Sequence, residues 1–246
     1  METSYILYEG PSKLDGKPIV VIATGLVNES KNVKTGAMVQ TWILRQDMKP
    51  TDAVSTGEDY SICGDCQHRG TSCYVEVGRA PNQIWSAYNK GHYEELPRRL
   101  FKVFKGRKVR IGAYGDPAAV PTHIWQSIAT HAAAVTGYTH QWHKYHARGL
   151  RKFCMASIDA VAERLHAEAR GFRTFRVRKG GHNLDPLLKG EVICPASVEG
   201  GQKLTCEQCL ACGGTGKNDN NRRRRGGITI IVHGSKGKVN QFEARA

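Results

Sequence analysis

Lys108-Val109-Arg110-Ile111-Gly112-Ala113-Tyr114-Gly115-Asp116-Pro117 reads as a β-strand that runs into a polar turn. Beyond it Ile124, Trp125, Ile128, Ala129 and Ala132 recur at helical spacing, predicting a helix that Gly137 stops. A second unit of the same plan follows. Phe153-Cys154-Met155-Ala156-Ser157 is its strand, Ile158-Asp159 its turn, and 160–170 its helix, with Val161, Leu165 and Ala169 on one face and Gly171 as stop. Phe172 to Val177 begins the next strand. Alternating β and α of this length implies parallel strands with right-handed crossovers.

Working outward, Pro18-Ile19-Val20-Val21-Ile22-Ala23 and Val39-Gln40-Thr41-Trp42-Ile43-Leu44 are further strands, and Ile84-Trp85-Ser86-Ala87-Tyr88 is helical. Glu191-Val192-Ile193 and Ile228-Thr229-Ile230-Ile231-Val232 complete a set of about seven or eight strands. That number favours an α/β fold of the small or incomplete (β/α) TIM-like barrel type over a doubly wound open sheet. The 246 residues suit one domain, 1–246, carrying a cysteine loop at 60–75 and a cysteine-rich, metal-binding segment at 192–216.

Lys and Arg number 36 against 22 Asp and Glu, giving a net charge of +14 and a pI near 9.5. So positive a surface attracts phosphate polyanions, of which nucleic acid is the commonest. Arg222-Arg223-Arg224-Arg225 reads as a solvated loop. Basic residues interleave with aromatics in 98–105, 142–146 and 172–178, a pattern suited to a strand with an apolar inner face and a basic face toward a nucleic-acid backbone. No apolar run approaches the ~20 residues of a membrane helix, so no membrane partner is expected. The first residues carry neither a basic leader nor an apolar signal core, which predicts a cytoplasmic protein with reduced thiols.

The eight cysteines fall into two groups and a singleton. Cys194, Cys206, Cys209 and Cys212 lie in a stretch with too few apolar residues to fold around its own core. Thiolates two residues apart can turn back onto one ion, about 2.3 Å from a zinc, so this group is expected to bind metal. Cys63, Cys66 and Cys73 form the second group. They could bind zinc with His68 or Cys154 as fourth ligand, or hold three irons of a [4Fe–4S] cluster and leave one open. Cys154, within Phe153-Cys154-Met155-Ala156, is expected in the core.

Barrels of this kind place chemistry in the loops after the strands, where Asp116 and Asp159 stand. Either can serve as an N-cap. For Asp116 the flanking glycines and Pro117 argue for a pre-organised site. Thr139-His140-Gln141-Trp142-His143 has the same strand-end position. Tyr114, His140, Gln141, Trp142 and Arg176 are the candidate substrate-binding residues, suited to stacking on or reading a base.

The segments 109–117, Val120-Pro121 with Trp125, 138–142, 155–159, 193–197 and 206–209 together resemble a group of phage-encoded proteins, over residues about 35 to 235. That group echoes two barrel classes. One is the radical-SAM-like barrel, in which a first strand runs into a cysteine loop, as 39–44 runs toward Cys63. The other is the class of tRNA- and DNA-guanine transglycosylases, zinc-containing barrels that exchange guanine for a 7-deazaguanine. The second resemblance implies base exchange in DNA in a host cytoplasm, with one of Asp116 and Asp159 attacking the deoxyribose C1′ and the other serving the base edge. The first implies an iron–sulfur enzyme acting on nucleic acid. A non-catalytic zinc protein that binds nucleic acid is the third expectation.

Overall fold

The structure, a computed structural model, describes residues 4–27, 32–181, 184–216 and 226–244. The arginine run 222–225 lies outside them. Among the described residues ten strands make one sheet: β1 Ser4–Pro11, β2 Pro18–Thr24, β3 Val39–Arg45, β4 Glu94–Glu95, β5 Lys108–Tyr114, β6 Ala134–Thr139, β7 Met155–Ile158, β8 Thr174–Arg178, β9 Val192–Ile193 and β10 Ile228–Ile231. Their order is β4-β1-β2-β3-β5-β6-β7-β8-β10-β9. β1, β2 and β3 form an antiparallel meander, and every pairing from β3 to the β9 edge is parallel. The fold is therefore mixed α/β on a mostly parallel sheet, and among the described residues β4 and β9 each pair on one side only.

The helices are α1 Pro50–Thr56, α2 Tyr60–Cys63, α3 Ala80–Asn89, α4 Thr122–His131, α5 Val161–Ala169, α6 Cys206–Cys209 and α7 Lys236–Glu243. The main core joins one face of the parallel strands, through Val109, Ile111, Val135 and Ala156, to Ile124, Trp125 and Ile128 of α4 and Ala167 of α5. β2 lies between two neighbours, and Ile19 to Ala23 are wholly buried, as a central strand covered on both faces requires. Cys154 is fully buried in this core. No described helix is long and apolar enough to cross a membrane.

Three local expectations are corrected. α4 ends at His131, not at Gly137: Ala132 turns to extended backbone, Ala133 N–H bonds to Arg107 O, and Gly137 lies inside β6. A Cβ at Gly137 would stand 2.5 Å from Ile111 Cγ1 and 3.0 Å from Cys154 Sγ, so the glycine serves close strand packing. The basic-aromatic segment at 98–105 is a 3-10 helix, Arg98–Phe104, whose Phe101 and Phe104 are buried.

The third concerns β8. Its arginines do not present a basic face. Arg176 and Arg178 are 3% and 2% exposed. Arg176 Nε and Nη2 reach the Glu191 carboxylate at 2.7 and 2.6 Å. Arg178 bonds Glu199, Asp185 O and Thr229 Oγ1. Arg173, just before the strand, donates to Ala211 O and Gly213 O, fastening the C-terminal cysteine segment to the sheet. Arg176 and Arg178 stay charged in the interior because a carboxylate and backbone or hydroxyl oxygens accept from each, and removing one partner of such a pair typically costs about 3–5 kcal/mol.

Candidate functional site

On the sheet face opposite the α4–α5 core, side chains alternate into a cavity of about 410 Å³. Arg110, Gly112 and Tyr114 of β5, Thr136 and Tyr138 of β6, Ser157 of β7, Phe175 and Val177 of β8, and Ile230 of β10 line it, at the two-residue period of strands. Just past the carboxyl ends of β5, β6 and β7, Asp116, His140 and Asp159 complete the wall. Ligand sites of parallel sheets gather at these strand ends.

Both cysteine groups face this one space. Cys63, Cys66 and Cys73 line it from the N-terminal side, and Cys194, Cys206, Cys209 and Cys212 from the C-terminal side. Among the described residues no two cysteines are joined by a disulfide. The first group is held by three ties: Asp116 N–H bonds Ile62 O at 2.6 Å, Gln141 Nε2 bonds Cys63 O at 3.1 Å, and Cys73 N–H bonds His68 O at 2.9 Å. Gly64 has φ +57°, and a Cβ there would meet Gln141 at 2.5 Å, so the glycine lets the loop close on that side chain. The second group is anchored by Cys194 N–H to Thr229 O, Cys206 N–H to Lys34 O, and Gly137 N–H to Cys212 O. α6 begins at a Thr205–Gln208 capping box and ends with Leu210 in the left-handed region, a tight turn that brings Cys206, Cys209 and Cys212 to the same cavity.

Burial raises the thiols of Cys63, Cys73, Cys194 and Cys206, and neighbouring cysteine sulfurs add to the shift. Cys212 is pushed up to about 12, by burial first and then by Cys194, Cys206 and Cys209, with a Tyr138 hydrogen bond opposing. Positive charge stands beside the second group: burial lowers Lys34 while Cys194 and Cys206 pull it back up, and Arg110 bonds Tyr74 Oη. Tetrahedral zinc would set its sulfurs about 3.8 Å apart. Among the described residues no three cysteine sulfurs lie within 4.8 Å of one another, whereas one ligand atom each from His68, His140 and Asp159 do.

Asp116 is buried, and its two oxygens accept three hydrogen bonds: Ala118 N–H at 2.9 Å and Thr139 Oγ1–H at 2.7 Å on Oδ1, and His140 N–H at 2.8 Å on Oδ2. It caps the 3-10 turn Pro117–Ala119 and fixes the strand end that carries His140. Burial raises its pKa, and the three donors oppose that. Asp159 Oδ1 lies 2.9 Å from His68 Nε2 and 3.7 Å from His140 Nε2. Burial pushes Asp159 up, but the two histidines prevail and hold it well below the usual carboxylate range. Burial pulls His140 down, and Cys66 and Asp159 more than reverse that.

The candidate binding residues divide. Tyr114 and His140 line the cavity, and Tyr114 Oη is buried with no hydrogen-bond partner among the described residues, its pKa driven up by burial. Gln141 is wholly buried beneath the cysteine loop. Trp142 donates to Ser157 O under the guanidinium of Arg170. Arg176 is in its ion pair with Glu191, on the other side of β8 from Phe175 and Val177. Gln141, Trp142 and Arg176 are thus outside the cavity wall, the first two as supports of the loop and strand ends. Lys34, Arg110, Tyr138 and His233 line the cavity without having been singled out from the sequence. For Arg110 and Tyr138 the signal was available, since they precede Tyr114 and His140 by four and two residues, an even spacing that puts each pair on one strand face. No protein-family model, curated protein or solved structure matches the chain.

Proposed function

We propose that the cavity is the active site of an iron–sulfur enzyme acting on nucleic acid, built on an incomplete (β/α) barrel. The observation that carries this reading is the convergence of all seven clustered cysteines, from segments far apart in sequence, on one cavity at the carboxyl ends of the parallel strands. Cys206, Cys209 and Cys212 repeat a two-residue spacing, and Cys194 is followed by Pro195, both features of [4Fe–4S] ligation. A cluster is wider than a single ion, so its thiolates stand further apart than around zinc, and among the described residues no three of these sulfurs lie within 4.8 Å of one another. Lys34 and Arg110 offset the negative charge of such a centre. Cys63, Cys66 and Cys73 would hold a second centre with one position open to the cavity. When bound, these groups supply electron transfer and, at an open iron, a ligand site for substrate. Tyr114 and His140 then orient what enters, and a volume of about 410 Å³ accommodates a nucleoside-sized group.

Base exchange in DNA for a 7-deazaguanine is the second reading, favoured by the presence of Asp116 and Asp159 in the cavity wall. It would rest on Asp159, because both Asp116 oxygens are already engaged. DNA is the substrate class in either case, supported by the charge of +14. Duplex and single-stranded DNA binding, measured against salt with protein prepared without oxygen, is expected to fall linearly on logarithmic axes with a slope of several. Affinity that stays flat would assign the basic surface to another partner.

A further inference from the structure

We propose that His68, His140 and Asp159 form a mononuclear site for a first-row divalent metal ion, distinct from the cysteine centres. Three different segments bring these groups together: the cysteine loop, the end of β6 and the end of β7. Nitrogen and oxygen ligands about 2.0–2.1 Å from a zinc-sized ion stand roughly 2.9–3.4 Å from one another, depending on geometry. The separations of Asp159 Oδ1 from His68 Nε2 and His140 Nε2, 2.9 and 3.7 Å, bracket that range, and all three ligand atoms lie within 4.8 Å. Both imidazoles converge on the same carboxylate oxygen.

The surroundings are those of a built site. His68 Nδ1 is 2.8 Å from Ser72 Oγ, the outer hydrogen bond that orients a metal-bound imidazole, and Phe242 stacks on its ring at 5.5 Å. The backbone N–H of Asp159 is held at 2.6 Å by Glu163, and that of His140 by Asp116. Asp116 is a positioning residue here. Two histidines and one carboxylate leave coordination positions open, and the cavity lies against all three. Cys66 stands against His140, so the site borders the first cysteine group.

The test is cobalt(II) titration of the full-length, metal-free protein, read by visible absorption and bound metal per chain. His68→Ala and Asp159→Asn are each expected to bind one cobalt fewer than the parent. The absorption they lose should lack thiolate-to-cobalt charge transfer, and Cys66→Ser should keep it. Ser72→Ala, which leaves all three ligands in place, should weaken the site about 10- to 100-fold and covers the case in which His68→Ala fails to fold. Unchanged stoichiometry in Asp159→Asn with unchanged affinity in Ser72→Ala would overturn the proposal. So would loss of a band with thiolate character, since the metal would then be the cysteines' own. The cobalt result does not depend on iron at the cysteines, so the two readings fail separately.

Discussion

At the scale of single residues, Asp116 separates position from role. Its place after a strand, between Gly115 and Pro117, marks it equally as a catalytic group and as a cap, and only three-dimensional partners distinguish the two. Those partners are three donors on two oxygens. Asp116→Asn replaces one acceptor oxygen by an amide that faces N–H or O–H donors, so it is expected to destabilise the fold by about 1–3 kcal/mol. Chemical denaturation would measure it. A variant as stable as the parent, yet inactive, would return Asp116 to the role of nucleophile. Tyr114 and His140 were legible because strand-end polar and aromatic groups tend to face a ligand. Arg176 was not, because its partner Glu191 is remote in the pattern that suggested it, and a buried ion pair leaves no local signature.

At the scale of elements, the strand–turn–helix unit from Lys108 to His131 and the following unit from Met155 to Arg178 were legible from periodicity alone. β6 was hidden. Its Ala134-Val135-Thr136-Gly137 sequence follows a helix directly, and a glycine that stops a helix looks the same as one that lets two strands and a thiol approach. β1 was missed as well, since among the described residues Ser4-Tyr5-Ile6-Leu7-Tyr8 pairs with β2 and the short β4 alone, and its burial comes from those neighbours. Two of the basic-aromatic segments depart from the expected strand with a wet basic face, in different ways. In 98–104 the aromatics pack inward from a 3-10 helix, and in β8 it is the arginines that are buried. Charge interleaved with rings states composition, not which face is wet.

Across the whole molecule, one sheet carries a packed core on one face and a cavity bordered by cysteines on the other. Such an arrangement has a pH signature. Burial and neighbouring sulfurs hold Cys212 at about 12 in the metal-free fold, above its ordinary 9.0, so the folded state keeps a proton that the unfolded chain releases. The stability this contributes is fully present below about pH 9 and is lost as pH rises toward about 12. Bound metal keeps the sulfur as thiolate and removes that dependence. Urea midpoints of metal-free protein are therefore expected to decline from about pH 9 upward more steeply than those of loaded protein. Parallel declines would mean that no metal engages Cys212. The central claim, that both cysteine groups hold iron–sulfur centres in one cavity, is tested most directly by counting iron and acid-labile sulfide in protein purified without oxygen. Two clusters predict about eight of each per chain, with Cys209→Ser and Cys66→Ser each reducing both counts. Zinc without sulfide, in a colourless protein, would contradict it.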